Sequence, residues 1–270
     1  MITSNQNSKI KLVRALLGRA KERREAGAFV AEGVRLVEEA VKANWNCRFA
    51  LYNETLSERG KLQVEGLKLK GVDVEEVSAS VMKSISETEA PQGILAVLQF
   101  SQLPIPNRLN FVLIPDQIRD PGNLGTLLRS AAALGVQAVL IPPETTDAFA
   151  PKVLRSGMGA HFRLPIHSMG WEEIEKVVKL EGAALSGGAV SKGLKIYVAD
   201  MDGQSCWETD LSKPIALIVG NEAEGVSESA RKLANGKISI PMSGETESLN
   251  AGVAGSVLMF EVMRQRTSNE

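Results

Sequence analysis

Cysteine is scarce in this chain of 270 residues. Cys47 and Cys206 stand far apart, and neither has a neighbour at metal-type or redox-motif spacing. A disulfide framework and a thiolate zinc site are thereby excluded, and two free thiols suit a reducing, cytoplasmic setting. Histidine is as rare: His161 and His167 fit no metal motif, so no metal is expected and both read as structural. Long apolar runs are missing too. The longest uncharged stretch, Ser248 to Phe260, lies between Glu247 and Glu261 and is too short to cross a bilayer, so it reads as a buried helix with no membrane partner. Met1 to Lys11 is polar and lacks the apolar segment of a signal peptide. Neither G-x-G-x-x-G nor G-x-x-x-x-G-K occurs, which removes the fingerprints of a nucleotide-dependent oxidoreductase and of a P-loop enzyme. Nor is there an excess of one charge, since the formal net value is -1.

What is present is an ordinary globular composition, 44% apolar and 23% charged, with room for one large domain or two smaller ones. Charge is unevenly placed. Lys9, Lys11, Arg14, Arg19, Lys21, Arg23 and Arg24 crowd the first helical segment, with Glu22 against them. Clustered cations of this kind suit a row of phosphates, because counterion release needs clustering. A solvated helix face looks the same, and on this feature alone it is the commoner explanation.

Ser101-Gln-Leu-Pro-Ile-Pro-Asn107 carries two prolines between apolar runs and can continue neither a helix nor a central strand. The joint between two domains is placed here, as 1–103 and 104–270. The front part reads as a helix around Lys9 to Glu25, a strand Ala28 to Ala31 and a helix Arg35 to Lys42. Strands at Arg48 to Tyr52, Val72 to Val77 and Ile94 to Leu98 complete a small α/β unit. In the second part, strands are expected at Phe111 to Ile114, Ala138 to Ile141, Leu164 to Ile166, Ala183 to Leu185, Ile215 to Val219 and Lys237 to Ile240. Helices are expected from about Asn123 to Leu134, at Pro151 to Met158, at Trp171 to Leu180 and at the C-terminus. Continuous apolar strands separated by helices imply a parallel sheet covered on both faces, with ligands beyond the carboxyl ends of its strands.

Three loops sit at such ends. In Asp116-Gln-Ile-Arg-Asp-Pro-Gly-Asn-Leu-Gly-Thr-Leu-Leu-Arg129, Asn123 occupies a helix-cap position, and Arg129 stands among apolar neighbours where a charge usually has a partner. Val219-Gly-Asn-Glu-Ala-Glu-Gly225 follows an apolar strand, and its glycines permit a close backbone approach. The third loop runs from Ile240 to Ala254, with Ser248 as a plausible cap. Ala251, Gly252, Ala254, Gly255 and Ser256 let the last helix pack closely against a neighbour or a second copy.

Together these loops resemble the three signature motifs of the SpoU family in the SPOUT superfamily of methyltransferases. Asn123, Gly125 and Arg129 match the first, Gly220, Asn221, Glu222 and Gly225 the second, and Ile240, Pro241, Ser248, Leu249 and Asn250 the third. Phe29 to Glu38 and Glu87 to Ala96 are similar to that family's RNA substrate-binding domain, which is L30e-like, of the fold of ribosomal protein L30e. The one departure is Ala251-Gly252, where the family often has Val-Ser.

The resemblance implies an α/β fold with a C-terminal trefoil-knot (SPOUT) domain on a parallel sheet and a smaller N-terminal L30e-like domain. It also implies a homodimer through the C-terminal domain. S-adenosylmethionine would be held by Gly220, Asn221, Gly225, Ile240, Met242, Leu249 and Asn250, and its methyl passed to a ribose 2'-hydroxyl of RNA. Ribosomal RNA is favoured over tRNA, and a catalytically silent RNA-binding knot is the alternative of another class. Lys9, Lys11, Arg14, Arg23, Arg24 and Arg35 would face RNA, and Asn123, Arg129, Glu222 and Asn250 would serve catalysis. A guanidinium stays protonated at ordinary pH, so Arg129 suits a phosphate and a developing alkoxide better than the role of base. Glu222 is then left to accept a proton or to position a partner.

Overall fold

A computed structural model describes residues 1–179, 193–244 and 248–268. The chain opens with α1 (Ser8–Gly18), α2 (Ala20–Ala26), β1 (Ala28–Glu32), α3 (Val34–Lys42) and β2 (Cys47–Tyr52). Then follow α4 (Glu58–Leu69), β3 (Asp73–Glu76), α5 (Ala79–Ser84) and β4 (Ile94–Gln99). Next come β5 (Phe111–Pro115), α6 (Pro121–Ala133), β6 (Ala138–Ile141), α7 (Pro151–Gly157), β7 (Ile166–Ser168) and α8 (Trp171–Lys179). The last elements are β8 (Lys195–Ser205), β9 (Ile215–Val219), α9 (Glu228–Leu233), β10 (Gly236–Ser239) and α10 (Ala251–Thr267). Two compact units result: Met1–Ser101 joined by Phe149–Phe162, and Gln102–Ala148 joined by Arg163–Glu270.

The first unit is built on a four-stranded sheet in the order β1-β4-β2-β3, antiparallel except for the parallel pair β2 and β3. Side chains alternate across it, as the two-residue strand period requires. Phe29 and Ala31 join the core with Val37 and Leu98, while Val30 and Leu95 pack on the other side with Ile10, Val13 and Leu16 of α1. Leu154 of α7 and Phe162 are buried in the Phe29 core, which places 149–162 in this unit. Each such buried side chain contributes about 1.5–3 kcal/mol. The long first helix expected from the sequence is broken. Arg19 is extended (φ -92°, ψ 143°), and Arg23 folds back to donate to Leu16 O (2.7 Å) and Gly18 O (3.2 Å), satisfying carbonyls that end α1.

In the second unit all six strands are parallel, in the order β10-β8-β9-β5-β6-β7. β5 and β9 are buried along their whole length, in keeping with their unbroken apolar sequences. β7 begins at Ile166 rather than Leu164. β8 has no counterpart among the expected strands, because Lys195–Ser205 mixes apolar residues with aspartates and a glycine. It pairs with β9 through its first half and with β10 across a register shift. A Cβ on Gly203 would lie 2.6 Å from Ile238 N, so the backbones there meet closely. The polar helices α4, α5 and α9 were also not expected. The strand expected at Ala183 to Leu185, and Leu180 at the end of α8, lie outside the described residues.

The small residues of α10 face a neighbour in the same chain. A Cβ on Gly255 would collide with Leu127 Cδ2 of α6 and lie 3.1 Å from Val219 Cγ2, and one on Gly252 would be 3.2 Å from Thr126 Cβ. The helix is not buried all round: Val253, Val257 and Phe260 are exposed on one face. Among the described residues no helix is long and apolar enough to cross a membrane.

Candidate active site

The cap of α6 is Asp120, not Asn123. Its Oδ1 accepts from Asn123 N at 2.8 Å, and Pro121 supplies the first helical residue. Asn123 is thereby released from capping, and its Nδ2 donates to Glu222 Oε1 at 2.8 Å. At the start of α10 the cap is Asn250, not Ser248. Asn250 Oδ1 accepts from Val253 N (3.2 Å), while Nδ2 donates to Asn123 Oδ1 (2.9 Å) and to Glu222 Oε1 (2.7 Å). Ala251 N also donates to Glu222 Oε1, at 2.9 Å. One carboxylate oxygen therefore accepts three hydrogen bonds at the N-terminus of a 17-residue helix, where the dipole favours an anion. Glu222 Oε2 has no hydrogen bond among the described residues.

The loop after β9 closes into a small hairpin. Asn221 N donates to Gly225 O (2.8 Å), Gly225 N returns to Asn221 O (3.0 Å), and Gly225 takes a positive φ of 72°. Asn221 Oδ1 accepts from Ala223 N (2.8 Å), and Nδ2 donates to Gln117 O (3.2 Å), so this side chain shapes the loop. Gly220 has no room for a side chain: a Cβ there would lie 2.5 Å from Gly225 O. An exposed Arg119–Glu224 ion pair at 3.0 Å joins the first loop to the second. Beneath them Asp116 is fully buried. Its Oδ2 accepts from Ser227 N at 2.6 Å, tying the start of α9 to the end of β5. Burial pushes its carboxyl above the usual carboxylate range, against the opposing effect of the Ser227 hydrogen bonds.

A cavity of about 670 Å³ opens over these strand ends. Gly220, Asn221, Glu222, Gly225, Ile240, Met242 and Leu249 line it, together with Ala251, Ala254 and Leu258 of α10. Asn250 lies between two lining residues and turns to Asn123 and Glu222. β8 and its surroundings bring further charged groups to the cavity, none of them among the expected site residues. Lys237 donates to Asp200 (2.7 Å), and this bond holds the Asp200 carboxyl below its ordinary range. Arg231 donates from Nε to Val226 O at 3.2 Å. The missing signal was β8 itself, since Asp200 gains meaning only as a strand residue beside β10.

Arg129 lies on the exposed face of α6 and has neither an ion pair nor a side-chain hydrogen bond among the described residues. The partner expected for it is not found, because helical periodicity turns Leu127, Leu128 and Ala131 inward and position 129 outward. The basic residues of the first unit divide. Lys9 pairs with Asp73 (2.5 Å) and Glu75, Arg14 donates to Asn5 Oδ1 and Ser84 Oγ (both 2.9 Å), and Arg23 is buried. Lys11, Arg24 and Arg35 are exposed and unpaired among the described residues. His167 Nε2 lies 2.8 Å from Leu103 O. Among the described residues no group of three or more His, Cys, Asp or Glu could hold a metal ion.

A mixed-sheet front unit, and a parallel sheet whose loops build a cavity beside a carboxamide–carboxylate cluster, define the class of two-domain SPOUT-type methyltransferases. The chain belongs to the SpoU rRNA methylase family, which matches residues 110–260, and residues 7–96 match the MRM3-like substrate binding domain. It is 32% identical to 23S rRNA (guanosine(2553)-2'-O)-methyltransferase RlmP of Bacillus subtilis (strain 168), over 97% of this chain and 98% of that protein. It is 31% identical to a 23S rRNA (uridine(2479)-2'-O)-methyltransferase of Streptomyces viridochromogenes, over 98% of this chain and 92% of that one. Its fold superposes with a TM-score of 0.82 on the SpoU methyltransferase AviRb from Streptomyces viridochromogenes, solved in complex with the cofactor AdoMet. That match has 29% identity and covers 97% of this chain and 100% of AviRb.

Proposed function

We propose that the chain methylates a ribose 2'-hydroxyl of ribosomal RNA with S-adenosylmethionine, in the cytoplasm. Gln102–Ala148 with Arg163–Glu270 form the knotted catalytic domain, and Met1–Ser101 with Phe149–Phe162 the RNA-binding domain. The two enzymes named above differ in nucleoside and agree on 2'-O-methylation of 23S rRNA, and the shared part is what carries over. The observation that carries the reading is the bonded set Asn123, Glu222 and Asn250, with Glu222 on the wall of the cavity.

The cavity fits the cofactor: Ile240, Leu249 and Leu258 offer apolar surface to an adenine, and the tight 220–225 hairpin offers backbone groups to its polar edge. When bound, S-adenosylmethionine supplies a methyl on a positively charged sulfur. The ribose oxygen that received this methyl would have to give up its hydroxyl proton to a group of the protein. Glu222 Oε1 is committed to three donors, so Glu222 Oε2 is the acceptor available to the 2'-hydroxyl. Asn123 and Asn250 hold that carboxylate in place. Arg129 is free to pair with a neighbouring phosphate and to stabilise the alkoxide as it forms. The exposed stripe Val253, Val257 and Phe260, spaced by four and three residues on α10, is the face a second copy would cover in a homodimer.

Calorimetry with S-adenosylmethionine tests the reading. Saturable binding to the wild type, lost in Leu249→Arg with its circular dichroism unchanged, is expected, followed by methyl transfer to transcribed 23S rRNA. A folded wild type that binds no S-adenosylmethionine would overturn it.

A further inference from the structure

The first unit has a cavity of its own, about 360 Å³, at the N-terminal end of α3. Leu36, Ala90 and Met158 give it apolar surface. One wall is a buried carboxylate whose oxygens are already engaged: Glu32 Oε1 accepts from the Thr88 hydroxyl (3.0 Å) and the Ser86 hydroxyl, and Oε2 from Glu87 N (3.2 Å). Arg155 NH1 lies 3.3 Å from Glu87 Oε2 and 3.9 Å from Glu32 Oε2, so its planar guanidinium is held against that wall. Arg35 also lines the cavity and is exposed, with no partner among the described residues.

The decisive residue is Gln92. Its Oε1 accepts from Val34 N at 2.9 Å, standing in for a cap that Gly33 cannot supply. Gly33 has a φ of 98°, and a Cβ on it would lie 3.0 Å from that same oxygen. A backbone N–H can only donate, so the amide orientation is forced: oxygen to the helix, and two Nε2 hydrogens left for a ligand. The cavity thus combines an apolar floor, a fixed donor, a free guanidinium and the positive end of a helix. Its volume is near the lower end for small-ligand sites, suited to one flat group rather than a duplex.

We propose that this cavity takes a single unstacked nucleotide of the RNA substrate, which rests on the reading of the chain as an RNA methyltransferase. The base lies on the apolar floor, stacked on the Arg155 plane, and a carbonyl oxygen such as those of uracil or guanine accepts from Gln92 Nε2. Its phosphate pairs with Arg35. Unpaired, splayed-out bases are what proteins read by sequence in RNA, and guanidinium planes are common platforms for them.

The test uses the full-length protein, transcribed 23S rRNA and labelled S-adenosylmethionine. Gln92→Glu keeps an oxygen for Val34 N while removing both donors, and Arg35→Ala removes the phosphate partner. Each should raise KM for the RNA about tenfold, with kcat, S-adenosylmethionine affinity and melting temperature retained. Arg35→Ala should also lower the salt dependence of RNA binding by about one counterion. An active wild type whose KM is unchanged by both substitutions overturns the nucleotide site alone. A wild type that binds S-adenosylmethionine but does not methylate the RNA overturns the substrate reading and the site with it. Tight binding of free uridine monophosphate, with the KM for RNA unmoved in the variants, would make this a free-nucleotide pocket and overturn the proposal.

Discussion

The two sheets of this protein gather side chains in different ways. In the second unit every strand runs in one direction, so the loops after β5, β9 and β10 emerge at one end. Asn123 and Glu222, 99 residues apart, meet there, as do Asn123 and Asn250, 127 apart. Strand order reverses direction between β5 and β9, and the Asn123–Glu222 hydrogen bond spans that pair, the place where open parallel sheets bind ligands. The sheet of the first unit is mixed, and its strand ends point both ways. The unit's run of basic residues is divided between structure and solvent: Arg23 is buried and Lys9 paired, while Lys11 and Arg24 are exposed. A parallel sheet turns sequence motifs into one site by topology alone, whereas a mixed sheet does not turn a charged stretch into one surface.

The sharpest way to break the first half of that comparison is Gly220→Ala. The new Cβ would meet the Gly225 backbone, which no rotamer change relieves. Overpacking of about 1–3 kcal/mol is expected, with S-adenosylmethionine affinity reduced about tenfold or more, read by calorimetry and thermal melting. Wild-type affinity would show that the hairpin does not shape the cavity.

For the second half, neighbouring arginines in α2 serve as paired probes. Arg23→Ala loses two hydrogen bonds from a buried guanidinium and should cost about 1–3 kcal/mol in urea denaturation. Arg24→Ala should stay within about 0.5 kcal/mol of wild type and lower the salt slope of RNA binding by about one. Equal effects of the two on RNA affinity, with stability unmoved, would return both to the surface patch.

The smallest effect concerns Asp116, the buried link between β5 and α9. Its folded-state pKa is raised by desolvation. The stability it contributes is therefore fully present below the unfolded value of about 3.9 and is lost as pH rises through the folded one. Asp116→Asn is neutral throughout, so its stability relative to wild type should improve as pH climbs from about 4. Urea melts across a pH series measure this, and a difference flat with pH would show that the Asp116 carboxyl titrates alike in both states.

Much of this was legible in the chain. Uninterrupted apolar runs marked β5, β6 and β9, and the three loops at strand ends carried the family likeness. What could not be read has a physical pattern. β8 was hidden because its aspartates and glycine lie where the strand runs past β9 and keeps β10 alone as a partner. The caps were misassigned by a few residues because Asp120 and Asn123, or Ser248 and Asn250, are locally equivalent choices. An aspartate followed by proline was the available signal for the first. Phe149–Phe162 joins the first unit through Leu154 and Phe162, apolar residues whose pattern names no partner.

By itself, then, the sequence determined the uninterrupted apolar strands, their burial and the loops that carry chemistry, because hydrophobic period and turn residues act locally. Tertiary structure alone decided that Glu222 offers one oxygen to three donors, that Gln92 turns its amide oxygen to Val34 N, and that Arg23 is structural while Arg24 is unpaired among the described residues. Those outcomes depend on hydrogen-bond distances between groups far apart in the chain or turned by a single kink, and no local pattern specifies them.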